Sequence, residues 1–241
     1  MKRLLARSLV LTLAAFGLTG CSHYITPGAK ADLQAFAPAS IQEGFAAKPT
    51  HPFPASIAAI RVQESNYTNY YLRQNGGSYG NGRYSVIMTR EVETQAQFDR
   101  IAELPQVSGL VTLNRMLLPE TLTGDRELRE AAARLHADLL FIYTFDTAFY
   151  NGDPSVPLTV ITLGLSPTRK ITATTTASAL LMDTRSGYIY SAYEVTDKAT
   201  IRSTAWGSRN SPDAVRRKTE GTAFDKLINE VVASWPKLLA K

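Results

Sequence analysis

The feature that most constrains the fold is the segment 137–149, which reads as a strand with apolar residues on both faces. Its run Leu139–Tyr143 contains no charged side chain, so neither face suits contact with water. A strand of this kind lies inside a sheet and needs a covering layer on each side. The helix predicted at 125–137 supplies one such layer, since its apolar stripe comprises Leu128, Ala131, Ala132 and Leu135.

The C-terminal third predicts a long hairpin followed by an amphipathic helix. Strands at 170–184 and 188–201 are joined by the short turn Arg185-Ser186-Gly187. The last helix runs from about 212 to 235, and Pro236 kinks or ends it. One face of this helix is predicted to be buried, with Phe224, Leu227, Ile228, Val231, Val232 and Trp235 at helical spacing.

The segment 63–83 is unusual, because tyrosines alternate there with glycines and asparagines and make a helix improbable. Around it the patterns predict strands at 56–62, 84–89 and 109–118 and a helix at 91–104. The predicted fold class is therefore α+β: a mixed, largely antiparallel sheet with a long C-terminal hairpin and helices packed on it, ending in an amphipathic helix.

The N-terminus has the anatomy of an export signal. A basic start is followed by an apolar run and then by Leu18-Thr19-Gly20-Cys21, which contains the only cysteine of the chain. These four residues resemble the lipobox of bacterial lipoproteins. The resemblance implies cleavage before Cys21, a thioether-linked diacylglycerol on its sulfur, and acyl chains such as palmitate. The predicted organisation is a cleaved signal at 1–20, the lipidated Cys21 with a periplasmic tether at 21–54, and one globular α+β domain at 55–241.

Charge and address follow from the same N-terminal segment. Three of the 26 basic residues lie in the signal, which leaves 23 basic against 21 acidic side chains and gives no electrostatic support for nucleic-acid binding. Ser22 follows Cys21, whereas in enteric-type bacteria an aspartate there retains lipoproteins at the inner membrane. The resemblance therefore implies a periplasm-facing protein anchored in the outer membrane.

A second resemblance rests on GRYSVIMTREVETQ (82–95), the helix after it, ARLHADLLFIYTFDT (133–147), and the hairpin with its terminal helix. This order is similar to periplasmic lipoproteins related in fold to the curli-secretion channel subunit, the outer-membrane activator of penicillin-binding proteins and the N-terminal domain of the Tol-system β-propeller protein. The group usually has a helix between its first two strands, where this chain has 63–83. The resemblance implies a non-enzymatic role in envelope assembly, secretion or activation of a partner enzyme.

The sheet edge or the segments 63–83 and 157–167 are predicted to contact a protein partner in the envelope. Tyrosine provides a large contact area at low entropic cost, and the apolar run 157–167 marks a partner site if it is exposed. A homo-oligomer stays open as an alternative. The predicted partner-binding residues are Tyr67, Tyr70, Tyr71 and Tyr79 in the first segment and Val160, Ile161 and Leu163 in the second.

No catalytic residue, metal site or cofactor is predicted, because the chain has three scattered histidines and no G-x-S-x-G elbow. Two alternatives to an accessory protein remain open. One is a small-ligand or cell-wall glycan sensor that uses the hydroxyl-bearing face Thr172, Thr174, Thr176 and Ser178. The other is an enzyme that depends on the carboxylate of Asp138 or Asp146, which lie at even spacing on one face of the strand.

Overall fold

The computed structural model describes residues 30–36, 40–152, 169–203 and 211–240. Within them, a 3-10 helix at Leu33–Phe36 comes first and another lies at Arg115–Leu117. The helices are α1 Ile41–Ala46, α2 Tyr70–Asn75, α3 Gln95–Ala102, α4 Asp125–Arg134 and α5 Ser211–Leu239. The strands are β1 Ala55–Glu64, β2 Ser78–Tyr79, β3 Asn81–Gly82, β4 Tyr84–Ile87, β5 Val107–Thr112, β6 Thr121–Leu122, β7 Leu139–Gly152, β8 Arg169–Asp183 and β9 Ile189–Ser203.

Seven of the described strands form one mixed sheet in the order β2-β4-β1-β7-β8-β9, in which β5 also pairs with β1, and β3 and β6 form a separate two-stranded parallel sheet. β1 runs parallel to β5 and β7, while the other pairs of this sheet are antiparallel. The strand predicted at 137–149 is thus an inner strand between β1 and β8. The predicted hairpin is confirmed, since β8 and β9 pair from Arg169↔Ser203 to Met182↔Ile189.

Side chains of the sheet alternate between two covered faces, and the α+β prediction is confirmed. On one face Phe141 and Phe145 of β7 pack against α3 and α5. On the other face Leu140 and Ile142 pack against α4 and the segment around Phe36. Because successive side chains of a strand point to opposite faces, the unbroken apolar run of β7 supplies both cores.

Helix α5 lies on the face formed by β7, β8 and β9. Phe224, Leu227, Ile228 and Trp235 are fully buried, and the Trp235 indole N–H donates to the Pro105 carbonyl at 2.8 Å. The predicted apolar face is confirmed. The predicted boundary at Pro236 is not, because the helix continues through it to Leu239. Leu238, beyond the proline, is buried against the same core, and this contact favours the last helical turn.

Part of the segment predicted as a tether packs on the domain. Ala31 is fully buried, its backbone N–H donates to the Thr144 hydroxyl at 3.2 Å, and the tilted rings of Phe36 and Tyr84 have centroids 5.0 Å apart. Further on, Thr50 donates both its N–H and its hydroxyl to the buried Asp183 carboxylate. These contacts attach the chain to the domain at Ala31 and Phe36 and again at Thr50, before the first strand begins.

The segment 63–83 contains a short helix, contrary to the sequence interpretation. The Asn69 side chain caps α2 by accepting from the Leu72 N–H at 2.8 Å, and Gly76, with φ of 68°, ends it. Leu72 packs with Tyr67 and Ile87 in a small cluster. Tertiary burial therefore stabilises a helix that the local glycine and tyrosine content disfavours.

Candidate functional site

The two strands that share one edge of β1 leave an opening between them. β5 pairs with β1 from Ala55 to Ala59, and β4 pairs with it from Arg61 onward, so Ile60 lies where the partner changes. Because β5 runs parallel and β4 antiparallel to β1, the two strands run toward each other along this edge, so both end beside Ile60 and the chain diverges from β1 there. This divergence makes room for a cleft at the sheet edge.

The cleft has a volume of about 440 Å³. The end of α2 and strand β2 form one wall, and the segment 112–115 after β5 forms the other. None of its lining residues is acidic. They are Asn75, Gly77, Ser78, Tyr79, Met88, Thr89, Thr112, Leu113, Asn114 and Arg115.

Thr89 lines this cleft, and no described residue forms a hydrogen bond with its hydroxyl. The Oγ1 atom is buried and lacks a hydrogen-bond partner. Its side chain lies against Gly77, where a Cβ would be only 2.3 Å from Thr89 Oγ1, and Gly77 has a φ of 116°. Glycine is therefore required at position 77, both for its backbone conformation and for the approach of Thr89.

A smaller inner chamber of about 50 Å³ adjoins the cleft and shares Met88, Thr112 and Leu113 with it. Two guanidinium side chains line this chamber, those of Arg61 and Arg90. No acidic residue lines it. The remaining lining residues are Ala59, Ile60, Ile87 and Tyr143.

Beneath the chamber lies a buried ionic cluster, defined here as Arg61, Glu91, Glu93, Asp213, Arg216 and Glu220. Arg216 donates to Glu220 at 2.7 Å and to Asp213 at 2.7 Å, and it also donates to Glu91. Arg61 is 2% exposed, and its Nη1 and Nη2 atoms lie 3.5 Å from Glu93 and Glu220 respectively. The guanidinium of Arg216 is thus saturated, whereas that of Arg61 is held loosely.

Arg61 has hydrogens that no described acceptor takes. Its Nε and Nη1 atoms are buried without a hydrogen bond, and the 3.5 Å contact of Nη1 with Glu93 is electrostatic only. The guanidinium carbon lies 4.6 Å from the centroid of the Phe145 ring and 5.7 Å from that of Tyr67. The aromatic faces stabilise the cation but accept no conventional hydrogen bond.

Burial and charge shift the pKa values in this cluster. Burial raises the pKa of Glu91, and nearby Glu220 and Asp213 add to the shift, although Arg216 opposes it. Burial by itself would lower the pKa of Arg61, but Glu93 and Glu220 outweigh it and raise the pKa.

The predicted tyrosines do not form one exposed surface. Tyr67 is 3% exposed, and its hydroxyl accepts from Asn69 at 3.3 Å, so it belongs to the interior. Tyr70 and Tyr71 are half-buried on α2. Tyr79 lines the cleft and donates its hydroxyl to the Leu118 carbonyl at 3.2 Å. Burial thus removes Tyr67 from any contact surface, and partner binding by the other three stays a prediction.

Four of the predicted site residues lie outside the described residues. They are Cys21, Val160, Ile161 and Leu163. Their assignments to lipidation and to partner binding stay predictions.

The two carboxylates considered for catalysis are those of Asp138, which is hydrogen-bonded to neighbouring residues, and Asp146, which lies far from it along β7. The carboxylate of Asp138 accepts from the N–H and hydroxyl of Ser56 and from Arg185, and these bonds lower its pKa although burial opposes them. Asp146 follows eight residues later, which is about 26 Å along an extended strand, so the two carboxylates cannot act on one substrate atom. No group of three or more His, Cys, Asp or Glu among the described residues is placed to hold a metal ion.

The hydroxyl-bearing face of β8 is engaged with its neighbour β9. Thr172 and Thr200 share a hydrogen bond of 2.9 Å, Thr176 and Thr196 share one of 3.0 Å, and Ser178 donates to Glu194. Cross-strand pairs of this kind stabilise a sheet. This arrangement favours the structural interpretation of the threonines, and glycan binding there stays an untested alternative.

Apart from Tyr79, which was predicted as a partner-binding residue, the residues of the cleft and of the ionic cluster were not identified from the sequence. One signal was present: Arg61 interrupts the apolar strand at a position that shares a face with Ile57 and Ala59. Another was the spacing of Arg216 and Glu220, four residues apart on an otherwise apolar stripe. Thr89 gave no signal, because its orphaned hydroxyl depends on a contact with Gly77.

No protein-family model and no curated protein matches this chain. Among solved structures it is similar to a homolog of a neuraminyllactose-binding hemagglutinin from Helicobacter pylori, with 10% identity, a TM-score of 0.33, and 85% of this chain and 91% of that one covered. It is also similar to protein XCC0632 from Xanthomonas campestris, with 8% identity, a TM-score of 0.30, and 79% of this chain and 93% of that one covered. A third similar structure is lipoprotein GNA1162 from Neisseria meningitidis, with 16% identity, a TM-score of 0.29, and 78% of this chain and 99% of that one covered.

Proposed function

We propose that this chain is a lipid-anchored, non-catalytic accessory protein of the bacterial envelope that binds a protein partner. The observation that carries the proposal is the lipobox-like sequence Leu18-Thr19-Gly20-Cys21 after a basic and apolar N-terminus. An anchored domain meets its partners near the membrane, and this chain combines the anchor with a compact fold.

The packing of the N-terminal segment limits how far the domain stands from the lipid. The first described contact of the chain with the domain is at Ala31, and residues 22–30 lie between this contact and Cys21 in the sequence. Nine residues span at most about 30 Å when fully extended. Tethering this short favours partners at or just above the membrane surface.

The proposed contact surface lies around α2 and the mouth of the cleft. Tyr70 and Tyr71 are half-buried on α2, and the Met116 side chain, next to the cleft residue Arg115, is 87% exposed. Aromatic residues and methionine are enriched in protein interfaces. The segment 157–167 remains a second proposed surface.

Site-specific photo-cross-linking in living cells tests the partner proposal. A benzophenone amino acid at position 70 of the full lipidated chain is expected to capture one or a few envelope proteins, which mass spectrometry identifies. The matched control places it at Tyr150, which is 72% exposed on β7. Equal capture from both positions, or cross-links between copies of the bait alone, would contradict a partner surface on α2.

Lipidation and address are tested separately from partner capture. Cys21→Ala is expected to abolish incorporation of labelled palmitate and release the protein from membranes. The resemblance to enteric-type lipoproteins predicts that Ser22→Asp moves the protein to the inner-membrane fraction of a density gradient. Palmitate labelling that survives Cys21→Ala would overturn the lipid anchor.

A further inference from the structure

We propose that helix α1 lies in the surface of the lipid bilayer, with the side chains of Ile41 and Phe45 inserted among the lipids near the anchor on Cys21. The inference deepens the function proposed above and rests on its lipid anchor. It gives the domain a membrane contact in addition to the acyl chains. The occupant of this apolar surface is thus a phospholipid leaflet, and a protein partner or a second copy of the chain is a competing outcome of the test.

The first argument is the exposure of two large apolar side chains on one face of α1. Ile41 is 83% exposed and Phe45 is 87% exposed. Residues four apart are neighbours on a helix, so the two side chains form one apolar patch. The other large apolar side chains exposed among the described residues lie on separate elements: Val111, Met116, Leu135 and Tyr150. Single exposed apolar residues are ordinary, whereas a contiguous patch marks a protein or membrane contact.

The second argument is that the domain gives α1 no core to pack against. None of the residues of α1 is buried. Six residues are too few for a stable helix in water, since isolated helices shorter than about 12 residues are marginal. The Ser40 hydroxyl caps the helix by accepting from the Glu43 N–H at 3.1 Å, so its start is fixed while its apolar face stays open to a further surface. A bilayer supplies such a surface, because amphipathic helices bind there by their apolar face.

The third argument is the position of α1 in the chain, which favours a lipid surface over a protein. α1 lies between Phe36 and Thr50, which both contact the domain, and it precedes β1 on the side of the chain that carries Cys21. The short segment 22–30 keeps this part of the domain close to the bilayer. Attachment raises the effective concentration of the patch at the membrane, so that two apolar side chains are enough to add to the anchor.

The charges around the patch agree with this orientation. At about 100° per residue, Glu43 lies about 200° around the helix from Ile41, so the acidic side chain of α1 is on the side opposite the patch. Lys48, just after α1, is exposed and carries the charge that anionic lipid headgroups attract. An interfacial helix has this arrangement, with an apolar face toward the lipid and a polar face toward water.

Quenching by spin-labelled lipid tests the proposal on the full lipidated chain in vesicles of phosphatidylethanolamine and phosphatidylglycerol. Because the Cys21 sulfur is held in its thioether, Ile41→Cys or Glu43→Cys provides the single thiol for a nitrobenzoxadiazole label. The label at position 41 should shift its emission to the blue and be quenched about threefold more than the label at 43, because an interfacial apolar face lies about 5–10 Å deep. Phe45→Ser should lower the quenching at position 41 toward that at 43. Tyr150→Ser, which removes an exposed ring from β7, should leave it unchanged.

The outcomes separate this inference from the lipid anchor. Positions 41, 43 and 45 are exposed, so each variant should keep the melting temperature of the wild type. Protein that does not float with the vesicles contradicts the anchor, and the docking of α1 falls with it. Floating protein with equal quenching at positions 41 and 43 would overturn the docking alone and leave a protein partner as the occupant. A blue shift that grows with protein concentration, without quenching, would also overturn it and indicate a second copy of the chain.

Discussion

At the scale of single residues, the interior of this domain depends on charged groups that hold each other. Arg216 is 1% exposed and contacts three carboxylates, those of Glu91, Asp213 and Glu220. A buried charge is tolerated only while its partners remain, because each lost partner leaves an uncompensated ion in a medium of low dielectric constant. The identity of such residues is therefore far more constrained than that of surface charges.

Arg216→Ala is expected to destabilise the domain by about 3–5 kcal/mol, because it leaves three buried carboxylates without their cation. Urea unfolding followed by circular dichroism measures the change. The neighbouring Arg217 is a matched control, since its side chain is 47% exposed and contacts Asp213 alone. Arg217→Ala should change the free energy of unfolding by less than about 1 kcal/mol, and equal losses from both variants would contradict the cluster's role.

Asp183 predicts a pH dependence of stability. Burial opposes ionisation, but hydrogen bonds from Thr50, Ser186 and Arg185 outweigh it and lower the pKa of Asp183 below its usual 3.8. A lowered folded-state pKa stabilises the fold above the unfolded value, and the contribution disappears as the pH falls through the folded value. We expect Asp183→Asn to be less stable by about 2–3 kcal/mol near neutral pH, with the deficit shrinking below about pH 4.

Unfolding by urea at a series of pH values measures this deficit. Asp225→Asn provides the control, because the Asp225 carboxylate is 51% exposed and pairs with a half-exposed Arg100. Its deficit should stay below about 1 kcal/mol at every pH. A deficit of Asp183→Asn that does not change with pH would show that the carboxylate's charge is not what stabilises the turn and Thr50.

At the scale of elements, α5 stabilises the sheet through one aromatic contact region. The centroid of the Phe224 ring lies 4.8 Å from the ring centroid of Tyr143, 5.7 Å from that of Phe98 and 5.9 Å from that of Phe145. These rings come from α3, β7 and α5, so a single side chain joins three elements. Helical spacing predicted the buried face of α5, whereas the identity of the facing elements came from the tertiary structure.

Phe224→Ala is expected to lower the free energy of unfolding by about 3–5 kcal/mol, from lost apolar burial and the cavity left behind. Chemical denaturation measures this loss. Lys218→Ala, at an exposed position of the same helix, should stay within about 0.5 kcal/mol of the wild type. A small effect of Phe224→Ala would mean that α5 is not part of the cooperative core.

At the scale of the whole molecule, the central question is where the domain stands relative to the membrane. Among the described residues no helix is long and apolar enough to cross a bilayer. The attachment proposed here is lipid on Cys21, and stable anchoring of this kind requires more than one acyl chain. Because the first described contact with the domain is at Ala31, the proposed lipid site and the domain are close in sequence.

Energy transfer from position 30 to the bilayer tests this geometry. Cys21 is the only cysteine, so a fluorophore attached to Lys30→Cys in the lipidated protein is unique. In vesicles with acceptor-labelled headgroups we expect efficient transfer, consistent with a separation of at most about 30 Å. Twenty Gly/Ser residues inserted after Ser22 should lower it, and equal transfer with and without the insertion would contradict a short tether.

The sequence by itself determined the local elements and the proposed address. Period-two and helical patterns predicted β1, β7, the β8–β9 hairpin and α5, because each pattern is set by residues close together in the chain. The lipobox-like motif is equally local. The likeness to the curli, penicillin-binding-protein and Tol group stays a prediction, as do the partner and the outer-membrane address.

Only the tertiary structure decided which polar groups lack partners and where the cavities lie. Arg61 lies beside Glu220, which follows it in the chain by more than 150 residues. Thr89, which follows β4, packs against Gly77, which precedes β2. The helix α2 and the docking of Ala31 also depend on contacts with distant segments. Burial, desolvation and hydrogen-bond satisfaction arise from such long-range contacts, which no local pattern of residue types encodes.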